Sequence, residues 1–511
     1  MGPKICIIFV GKPQWEAGWP SWGFDNEKLK AAILARLKDS FPQVEFVGKE
    51  VVTRYEKEKV DEIRELVRTS DGLLIFCIGH YGDMGPVDVA VSLIELNVPT
   101  ILVNYPYVGD YYFKLIYSRI KGKNLRVLPI SSVDFGDVEK AVGVMCRIAE
   151  LRGKKILLYT LYEPKRSFEG MLQFAQSMPR ERIEELGLGE EQLKRIIAQE
   201  HYLDFAGVDQ AHQWRRDESR YRKNLYDVFG IDWIKGDPEE LLRAYKEVNE
   251  SDAEKVANVW ISGASKLEIP KQVVVAGAKL YLAVKGLMKK YGADAVNIDC
   301  GTLLLSGHLP IMPCLAVSEL LSEGLTAGPE SDMDSTVSLL LVRYLTGRAG
   351  YTSNQSLNLK DEEVAYLHNC QPYRLYGPDS PPQPYRIATY GLSNKLAGPN
   401  IWVDYPRGEK LTTIKVSVLE KKIAIRVGEI VDSLADEKTC ADKLKGWPFG
   451  GETGFEPGVV VKTNASRIFE KYDYQSHQTF GWHRVSVVGD FRDDIKIAAR
   501  LLGLEVIEED E

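Results

Sequence analysis

The chain has 511 residues, of which 44% are hydrophobic and 27% are charged, and its formal net charge is −8. This composition is typical of a globular protein and excludes a disordered or fibrous chain. Basic residues alternate with acidic ones, as in the run EKEK, whereas a nucleic-acid-binding surface needs a stripe of positive charge. The apolar runs are shorter than the span of about 20 residues that crosses a bilayer. We therefore expect neither a nucleic acid nor a membrane as a partner.

The cysteines and the first residues of the chain indicate the cellular compartment in which the protein is expected. The seven cysteines are widely spaced and form no CxxC pair, which favours reduced thiols. The apolar run at the start, KICIIFV, ends near Gly11 with no small-residue cleavage site after it, so it predicts a first strand and not a signal peptide. We expect a cytoplasmic protein.

A chain of this length exceeds the size of a single hydrophobic core, and we divide it into three domains. These are an N-terminal α/β domain (1–155), a middle α/β domain (156–350) and a C-terminal β-rich domain (351–511). In the first two domains, apolar runs such as GLLIFCI alternate with amphipathic segments, which predicts parallel sheets with helices on both faces. The predicted fold is α/β, with two doubly wound, Rossmann-like domains.

The pattern changes in the third domain. A stretch rich in Pro and Gly is followed by two short alternating runs, at residues 412–419 and 422–427. Such runs are typical of antiparallel strands. We therefore predict a mainly antiparallel, barrel-like domain at the C-terminal end.

Three carboxylates follow a predicted strand in the segment LTAGPESDMDS, and functional side chains of open α/β sheets gather at such strand ends. Asp332 and Asp334 fall in the first turn of the next helix, where acidic side chains commonly cap the helix. Glu330 precedes the cap and is not explained in this way. It is therefore the first candidate for chemistry.

Two of the seven histidines, His368 and His483, also fall where a strand is expected to end. A single histidine beside an apolar strand is more often a core or rim residue than a ligand. Together with Glu330, however, the two imidazoles form a mixed nitrogen and oxygen set suited to Mn²⁺, Fe²⁺, Co²⁺ or Zn²⁺. The sequence thus predicts a divalent metal site, provided that the fold brings these distant residues together.

The segment from Pro313 to Gly347, which contains LAVSELLSEG, AGPESD and LTG, resembles the middle-domain signature of L-fucose isomerase-like proteins, in the L-fucose/L-arabinose isomerase superfamily. GWHRV and the terminal LLGLEV resemble the C-terminal end of that family, and residues 411–431 resemble its barrel strands. The resemblance implies a metal-dependent aldose–ketose isomerase that works through an enediol, with Mn²⁺ as the expected metal. It implies that Glu330 and His483 are ligands, that Glu330 is catalytic, and that the chain forms a trimer or hexamer.

One position departs from the family pattern. The family's second acidic ligand corresponds to Asn354, whose amide can coordinate a metal but carries no charge and accepts no proton at neutral pH. Asp332, Asp334 or Asp361 substitutes for that ligand, or the proton shuttle uses one carboxylate, or catalysis is lost. We assign Asn354 a weakened catalytic and metal contact. The alternative is a catalytically altered or inactive sugar-binding or sensing protein.

Further residues are candidates for binding the sugar substrate. His368 is either another metal ligand or a donor to a sugar hydroxyl. Exposed tryptophans can stack on a sugar ring, although they can equally pack a loop, and a histidine after a strand can face substrate or cap a helix. Besides His368, the candidate substrate contacts are Asp332, Trp15, Trp19, Trp22 and His80.

A basic cluster in the middle domain leaves one more alternative open. It consists of Arg215, Arg216, Arg220, Arg222 and Lys223. Such a cluster is usually a solvated helix face, but it can bind an anion. In the second case, the protein is an enzyme for a modified sugar that carries a phosphate or sulfonate group.

Overall fold

A computed structural model describes residues 2–14, 25–79, 83–161, 213–389, 398–443, 445–446, 456–472, 479–481 and 483–511. The chain divides into two compact units. The first consists of Met1–Arg152 with Asp493–Glu505, and the second of Gly153–Arg492 with Val506–Glu511. The predicted boundary after residue 350 lies within the second unit, and the division into three domains stays a prediction.

The first unit is built on a five-stranded parallel sheet with the strand order β2-β1-β3-β4-β5. The two strands at its centre are buried along almost their whole length, as expected when helices cover both faces of a sheet. Its strands are β1 (Lys4–Val10), β2 (Glu45–Val52), β3 (Gly72–Cys77), β4 (Thr100–Asn104) and β5 (Val127–Ser131). Its first five helices are α1 (Asn26–Ser40), α2 (Lys57–Arg68), α3 (Gly85–Ile94), α4 (Asp110–Ile120) and α5 (Gly136–Ala149).

The second unit contains a four-stranded parallel sheet with the strand order β10-β9-β6-β7. The strands are β6 (Lys155–Tyr159), β7 (Asp232–Lys235), β9 (Ala295–Ile298) and β10 (Thr326–Pro329). Around them lie α6 (Gln213–Arg216), α7 (Glu218–Phe229), α8 (Pro238–Glu247), α9 (Glu250–Gly263), α10 (Lys271–Tyr291), α11 (Cys300–Leu305), α12 (Cys314–Ser322) and α13 (Met333–Thr346). Parallel strands end at the same edge of the sheet, and Thr160, Asp299 and Glu330 each follow a strand there.

The remainder of the second unit contains a closed six-stranded antiparallel barrel. Its strands are β11 (Tyr351–Asn358), β12 (Glu363–Leu367), β15 (Lys410–Ser417), β16 (Lys422–Leu434), β17 (Gly458–Lys462) and β18 (Arg484–Val488). The strand order is β15-β18-β11-β12-β17-β16, and the pairing of β15 with β16 closes the ring. The predictions of an α/β protein with parallel sheets and of an antiparallel barrel near the C-terminal end are confirmed.

Short elements complete the described chain. A strand at the C-terminal end, β19 (Glu505–Glu508), lies beside β16, and a small separate sheet has the order β14-β13-β8. These elements are β8 (Lys266–Leu267), β13 (Tyr385–Thr389), β14 (Pro399–Val403), α14 (Glu437–Lys443), α15 (Ala465–Lys471) and α16 (Arg492–Leu502).

The structure also bears on the cysteines and on membrane spans. Six cysteines, Cys6, Cys77, Cys146, Cys300, Cys314 and Cys370, are free and buried, as the sequence predicted for reduced thiols. Among the described helices, none combines the length and the apolar character that a bilayer crossing requires.

Candidate metal centre

Glu330 lies in a tight turn between β10 and α13 at the carboxyl edge of the parallel sheet. Both Glu330 and Ser331 have left-handed backbones, with φ of 58° and 52°. Residues other than glycine rarely adopt this conformation, and it costs roughly 1–3 kcal/mol where it occurs. Strained residues of this kind cluster at functional sites, and here the turn directs the Glu330 carboxylate toward two histidines.

Hydrogen bonds from three side chains hold this turn. The buried Asn297 amide on β9 donates to the carbonyl oxygens of Pro329 and Asp332, at 3.3 and 3.1 Å. From the other side, Trp214 Nε1 donates to the carbonyl oxygen of Ser331 at 2.9 Å, and Arg215 Nη2 donates to the Ser331 hydroxyl at 2.8 Å. The surrounding structure therefore stabilises a backbone conformation that the sequence alone disfavours.

The two histidines lie next to two barrel strands that are separated by one strand, β11. His368 directly follows β12, and its backbone N–H donates to the carbonyl oxygen of Pro457 at 3.0 Å. His483 directly precedes β18. Because β11 lies between β12 and β18, the two imidazoles flank its N-terminal half and project toward Glu330.

The three side chains converge on one point. One carboxylate oxygen of Glu330 lies 3.5 Å from His368 Nε2, and the other lies 3.4 Å from His483 Nε2. The imidazole centroids are 5.7 Å apart, and one ligand atom from each residue lies within 4.8 Å of the others. Two imidazoles with one carboxylate form a donor set that divalent transition metals favour. The cluster could therefore hold a metal ion.

Burial differs among the three candidate ligands. The side chains of His368 and His483 are only 6% and 2% exposed, whereas that of Glu330 is 44% exposed. The barrel therefore shields the imidazoles, and the carboxylate forms the accessible side of the cluster. This is the side on which a substrate can approach.

Asp332 fixes the orientation of His483. Asp332 is fully buried, and its Oδ2 accepts a hydrogen bond of 3.0 Å from His483 Nδ1. This bond places the ring proton on Nδ1 and leaves the lone pair of Nε2 facing Glu330. A carboxylate behind a metal-binding histidine is a common arrangement, because it orients the ring and raises the basicity of the ligand.

A buried ion pair holds Asp332 itself. Lys415 Nζ on β15 lies 2.5 Å from Asp332 Oδ2, and both side chains are at most 1% exposed. The Asp332 carboxylate also caps α13 by accepting hydrogen bonds from the backbone and hydroxyl of Ser335. Burial opposes ionisation of Asp332, but the Lys415 charge and the His483 hydrogen bond outweigh it and hold the pKa of the carboxyl well below its usual range.

The contacts within the cluster shift the pKa values of Glu330 and His368. Burial disfavours the charged form of Glu330, but its contacts with the His368 and His483 imidazoles lower its pKa to about 2. Burial likewise disfavours the protonated form of His368, but its bond to Glu330 raises its pKa to about 9. In the metal-free protein, Glu330 is therefore anionic at neutral pH and His368 carries a proton.

Asp334 belongs to the interior of the protein and not to the cluster. Its Oδ1 accepts hydrogen bonds from Tyr221 Oη at 2.7 Å and from the backbone N–H of Val418 at 3.3 Å. Burial raises its pKa to about 7, and the nearby charge of Lys415 counteracts only part of this effect. Its contacts join α7, α13 and the end of β15, which is a structural role.

Asn354 lies on β11 between the strands that lead to the two histidines. It pairs with Leu367, the residue before His368, while its neighbour Ser353 pairs with Arg484, the residue after His483. The register therefore brings the backbone of Asn354 next to both ligand-bearing segments. Its role as a catalytic residue and metal contact stays a prediction.

Three outcomes concern the other candidate substrate contacts. His368 presents Nε2 to the cluster, which favours the metal-ligand alternative over a sugar contact. The substrate contact expected of Asp332 needs correction, because its carboxylate is fully buried and already bonded to His483, Lys415 and Ser335. The remaining candidates lie outside the described residues; these are Trp15, Trp19, Trp22 and His80.

The basic cluster of the middle domain is largely engaged by carboxylates. Arg222 pairs with Asp232, Lys223 pairs with Asp227, and Arg220 lies 3.9 Å from Glu420. Arg215 is buried and lies 3.2 Å from Asp299 as well as contacting Ser331. These contacts agree with a mostly structural role for the cluster.

Sequence reasoning missed Lys415, which compensates the charge of Asp332. A signal was present, because Lys415 is the one charged residue in the otherwise buried run LTTIKVS. A charge in a buried strand requires a partner of opposite charge.

Comparison with known proteins adds no assignment: no protein-family model matches the chain, and no curated protein matches it significantly.

Proposed function

We propose that the protein is a metal-dependent aldose–ketose isomerase of the L-fucose isomerase type. The observation that carries this proposal is the convergence of Glu330, His368 and His483 at the carboxyl edge of a parallel sheet. The proposal includes Mn²⁺ as the metal, a sugar as the substrate and two doubly wound domains preceding the barrel. Self-association into a trimer or hexamer is part of it.

The donor set is consistent with a divalent ion. His483 Nδ1 is engaged by Asp332, so Nε2 is the ring nitrogen left for a metal. Nε2 of His368 and the partly exposed Glu330 carboxylate complete the set. Glu330 and the two histidines would hold the ion. A bound divalent cation would supply Lewis acidity at the carbonyl and hydroxyl oxygens of the sugar.

The protein's own residues account for the proton transfer. Isomerisation through an enediol requires a base that removes a proton from C2 and returns it to C1, while the proton of the C2 hydroxyl moves to the C1 oxygen. The Glu330 carboxylate is ionised at neutral pH and reaches the accessible side of the cluster, and we assign it the role of this base. Asp332 and Lys415 take no proton from the sugar; they keep His483 in place.

Metal-dependent turnover provides the test. Protein freed of metal by a chelator is assayed for ketose formation from a panel of deoxyhexoses and pentoses, before and after addition of Mn²⁺. We expect activity only with Mn²⁺ and at least about a 10³-fold loss of kcat in Glu330→Gln, because the amide cannot act as a base. The control variant is Glu323→Gln, whose carboxylate binds Lys285 and Tyr281. Full activity after chelation or in Glu330→Gln would refute the proposal.

A second candidate function is sugar binding or sensing without turnover. Asn354 favours this alternative, because the uncharged amide lies on the strand between the two histidine-bearing segments. Saturable sugar binding in a calorimeter, with no ketose formed in the presence of any of Mn²⁺, Co²⁺, Fe²⁺ or Zn²⁺, would decide for sensing. An enzyme for an anionic sugar would instead leave this panel unconverted and turn over only phosphorylated or sulfonated sugars added to it.

The reduced state of the cysteines supports a cytoplasmic location as part of the proposal. Six described cysteines are free thiols although several lie close to one another, as Cys314 and Cys370 do. Free thiols in such proximity persist in reducing compartments.

A further inference from the structure

The C-terminal end of the chain inserts a carboxylate between two buried arginines. Glu509 Oε1 lies 2.7 Å from Arg484 Nη2, and Glu509 Oε2 lies 2.9 Å from Arg426 Nη2. The side chains of both arginines are 1% exposed, and that of Glu509 is 10% exposed. A buried cation needs both a counter-charge and hydrogen-bond partners. Glu509 shares its one negative charge between the two guanidinium groups.

Arg484 directly follows the candidate ligand His483, and its guanidinium group binds carbonyl oxygens of the preceding backbone. Its Nη1 donates to the carbonyl oxygens of Gly481 and His483 at 2.8 and 3.0 Å, and the carbonyl oxygen of Phe480 lies 3.5 Å away. Gly481 has a left-handed backbone with φ of 63°, so the chain turns sharply here. The guanidinium group of Arg484 therefore holds the backbone of the segment that carries His483 by hydrogen bonds to its carbonyl groups.

We propose that Glu509 is a positioning residue for His483 and acts through Arg484. Glu509 fixes the guanidinium by two hydrogen bonds, and the guanidinium fixes the backbone on both sides of residue 482. That backbone sets the point from which the imidazole reaches Glu330 and Asp332. This inference rests on the proposed metal centre, because its consequence is the affinity of that centre for a metal ion.

Arg426 links the Glu509 carboxylate to β11, the strand between the two histidine-bearing segments. Its Nη2 donates to Gln355 Oε1 at 2.6 Å, and Gln355 follows Asn354 on β11. Within the described ranges of the chain, Nε and Nη1 of Arg426 find no hydrogen-bond partner. Arg426 therefore depends strongly on Glu509, and loss of that carboxylate should disturb β11 as well as the His483 segment.

The next residue provides a matched control. The side chain of Asp510 is 6% exposed and that of Glu509 is 10% exposed, so both carboxylates are buried. Asp510 accepts a hydrogen bond from the backbone N–H of Val427 at 2.9 Å and pairs with Arg492. Asp510→Asn therefore weakens the anchoring of the same terminal segment without removing the ion pair to Arg484.

The test compares the full-length wild type with Glu509→Gln and Asp510→Asn. Each protein is stripped of metal and titrated with Co²⁺, followed by visible absorption and calorimetry. We expect Co²⁺ affinity to fall about 10- to 100-fold in Glu509→Gln, as for other residues that orient a metal ligand, and less than about threefold in Asp510→Asn. Equal affinities in the two variants would overturn the inference.

Two additions keep the test decisive. Hydrogen exchange measured by mass spectrometry on the metal-free proteins should show faster exchange at residues 479–484 in Glu509→Gln than in Asp510→Asn. If Glu509→Gln does not fold, Arg484→Lys replaces it, because one ammonium group cannot hold both the carboxylate and the carbonyl oxygens. Unchanged exchange would overturn the positioning role. Absence of Co²⁺ binding in the wild type would instead refute the metal centre, whereas the exchange result would still decide whether Glu509 orders the segment.

Discussion

The Oδ2 atom of Asp332 and the Nδ1 atom of His483 form a fully buried hydrogen bond of 3.0 Å. The two residues are 151 positions apart in the sequence, and the bond joins the N-terminus of α13 to the barrel. It selects the tautomer in which Nε2 of His483 is free to bind a metal ion. The pair thus connects the two halves of the candidate metal centre.

The first prediction concerns Asp332→Asn. Asparagine caps a helix as well as aspartate does, so α13 should still begin at Met333. The amide carries no charge to balance Lys415 and holds the His483 imidazole less firmly. We expect Mn²⁺ or Co²⁺ affinity to fall about 10- to 100-fold in a calorimetric titration. The control is Asp237→Asn at the cap of α8, and an unchanged affinity in Asp332→Asn would contradict the role assigned here.

The second prediction is release of a proton when the metal binds. His368 is protonated at neutral pH because its pKa is raised to about 9, and a metal ligand must be deprotonated. Metal affinity should therefore rise about tenfold for each pH unit between pH 7 and 9 and level off above. Calorimetry at pH 7.5 in buffers of different ionisation enthalpy should report about one proton released. Release of no proton would exclude His368 as a ligand.

The same shift in pKa predicts how the stability of the metal-free protein depends on pH. The pKa of His368 is higher in the folded state than the ordinary value of 6.5. Its ion pair with Glu330, whose pKa is lowered from 4.5 to about 2, therefore contributes fully to the free energy of unfolding between pH 4.5 and 6.5, and the contribution is lost as the pH rises through 9. His368→Gln should remove this part of the pH dependence in urea unfolding. An unchanged profile would show that the imidazole is neutral.

The third prediction concerns Asp334, whose pKa of about 7 lies above its ordinary value of 3.8. The folded state holds a proton that the unfolded chain releases, so this group lowers stability as the pH rises from 3.8 to 7. Asp334→Asn keeps an acceptor for Tyr221 and Val418 and removes the titration. We expect the variant to gain on the order of 4 kcal/mol relative to the wild type between pH 4 and pH 8, measured by urea unfolding. Parallel pH profiles would contradict a raised pKa.

The fourth prediction concerns Asn354→Asp. A carboxylate between the two histidine-bearing segments should tighten Mn²⁺ binding at least about tenfold, because it adds a negative charge near a divalent cation. The control is Asn358→Asp, which adds the same charge at the exposed end of β11, where Asn358 binds Asp361. Turnover that appears only in Asn354→Asp would favour the sensing alternative for the natural protein. No change in metal affinity would place residue 354 outside the metal centre.

The residues of the cluster were predictable because each broke a local pattern. Glu330 precedes a helix cap and does not belong to it, and His368 and His483 are rare residues beside apolar strands. His368 follows β12 as expected, whereas His483 precedes β18 and does not follow a strand. The barrel was predictable from the alternation in residues 412–427, which form β15 and the start of β16. These signals are local, and a single sequence displays them directly.

The interactions that complete the cluster were harder to predict from the sequence. A left-handed backbone is expected of glycine or asparagine, so nothing in the sequence marked Glu330 as strained. The segment from β18 through α16 to β19 has the pattern of a β-α-β unit, yet β19 pairs beside β16 and not beside β18. Most of α16 belongs to the first unit, and such long-range pairing has no local signature. The partnership of Glu509 with Arg484 follows from this path of the chain.

Anomalous scattering from crystals grown with Mn²⁺ tests the metal centre most directly. Diffraction measured on both sides of the manganese absorption edge should give a peak about 2.0–2.2 Å from the Glu330 carboxylate and from Nε2 of both His368 and His483. The peak should disappear in Glu330→Gln crystals grown in the same way. A wild-type map with no peak between these three side chains, or with the manganese bound elsewhere, would contradict the account.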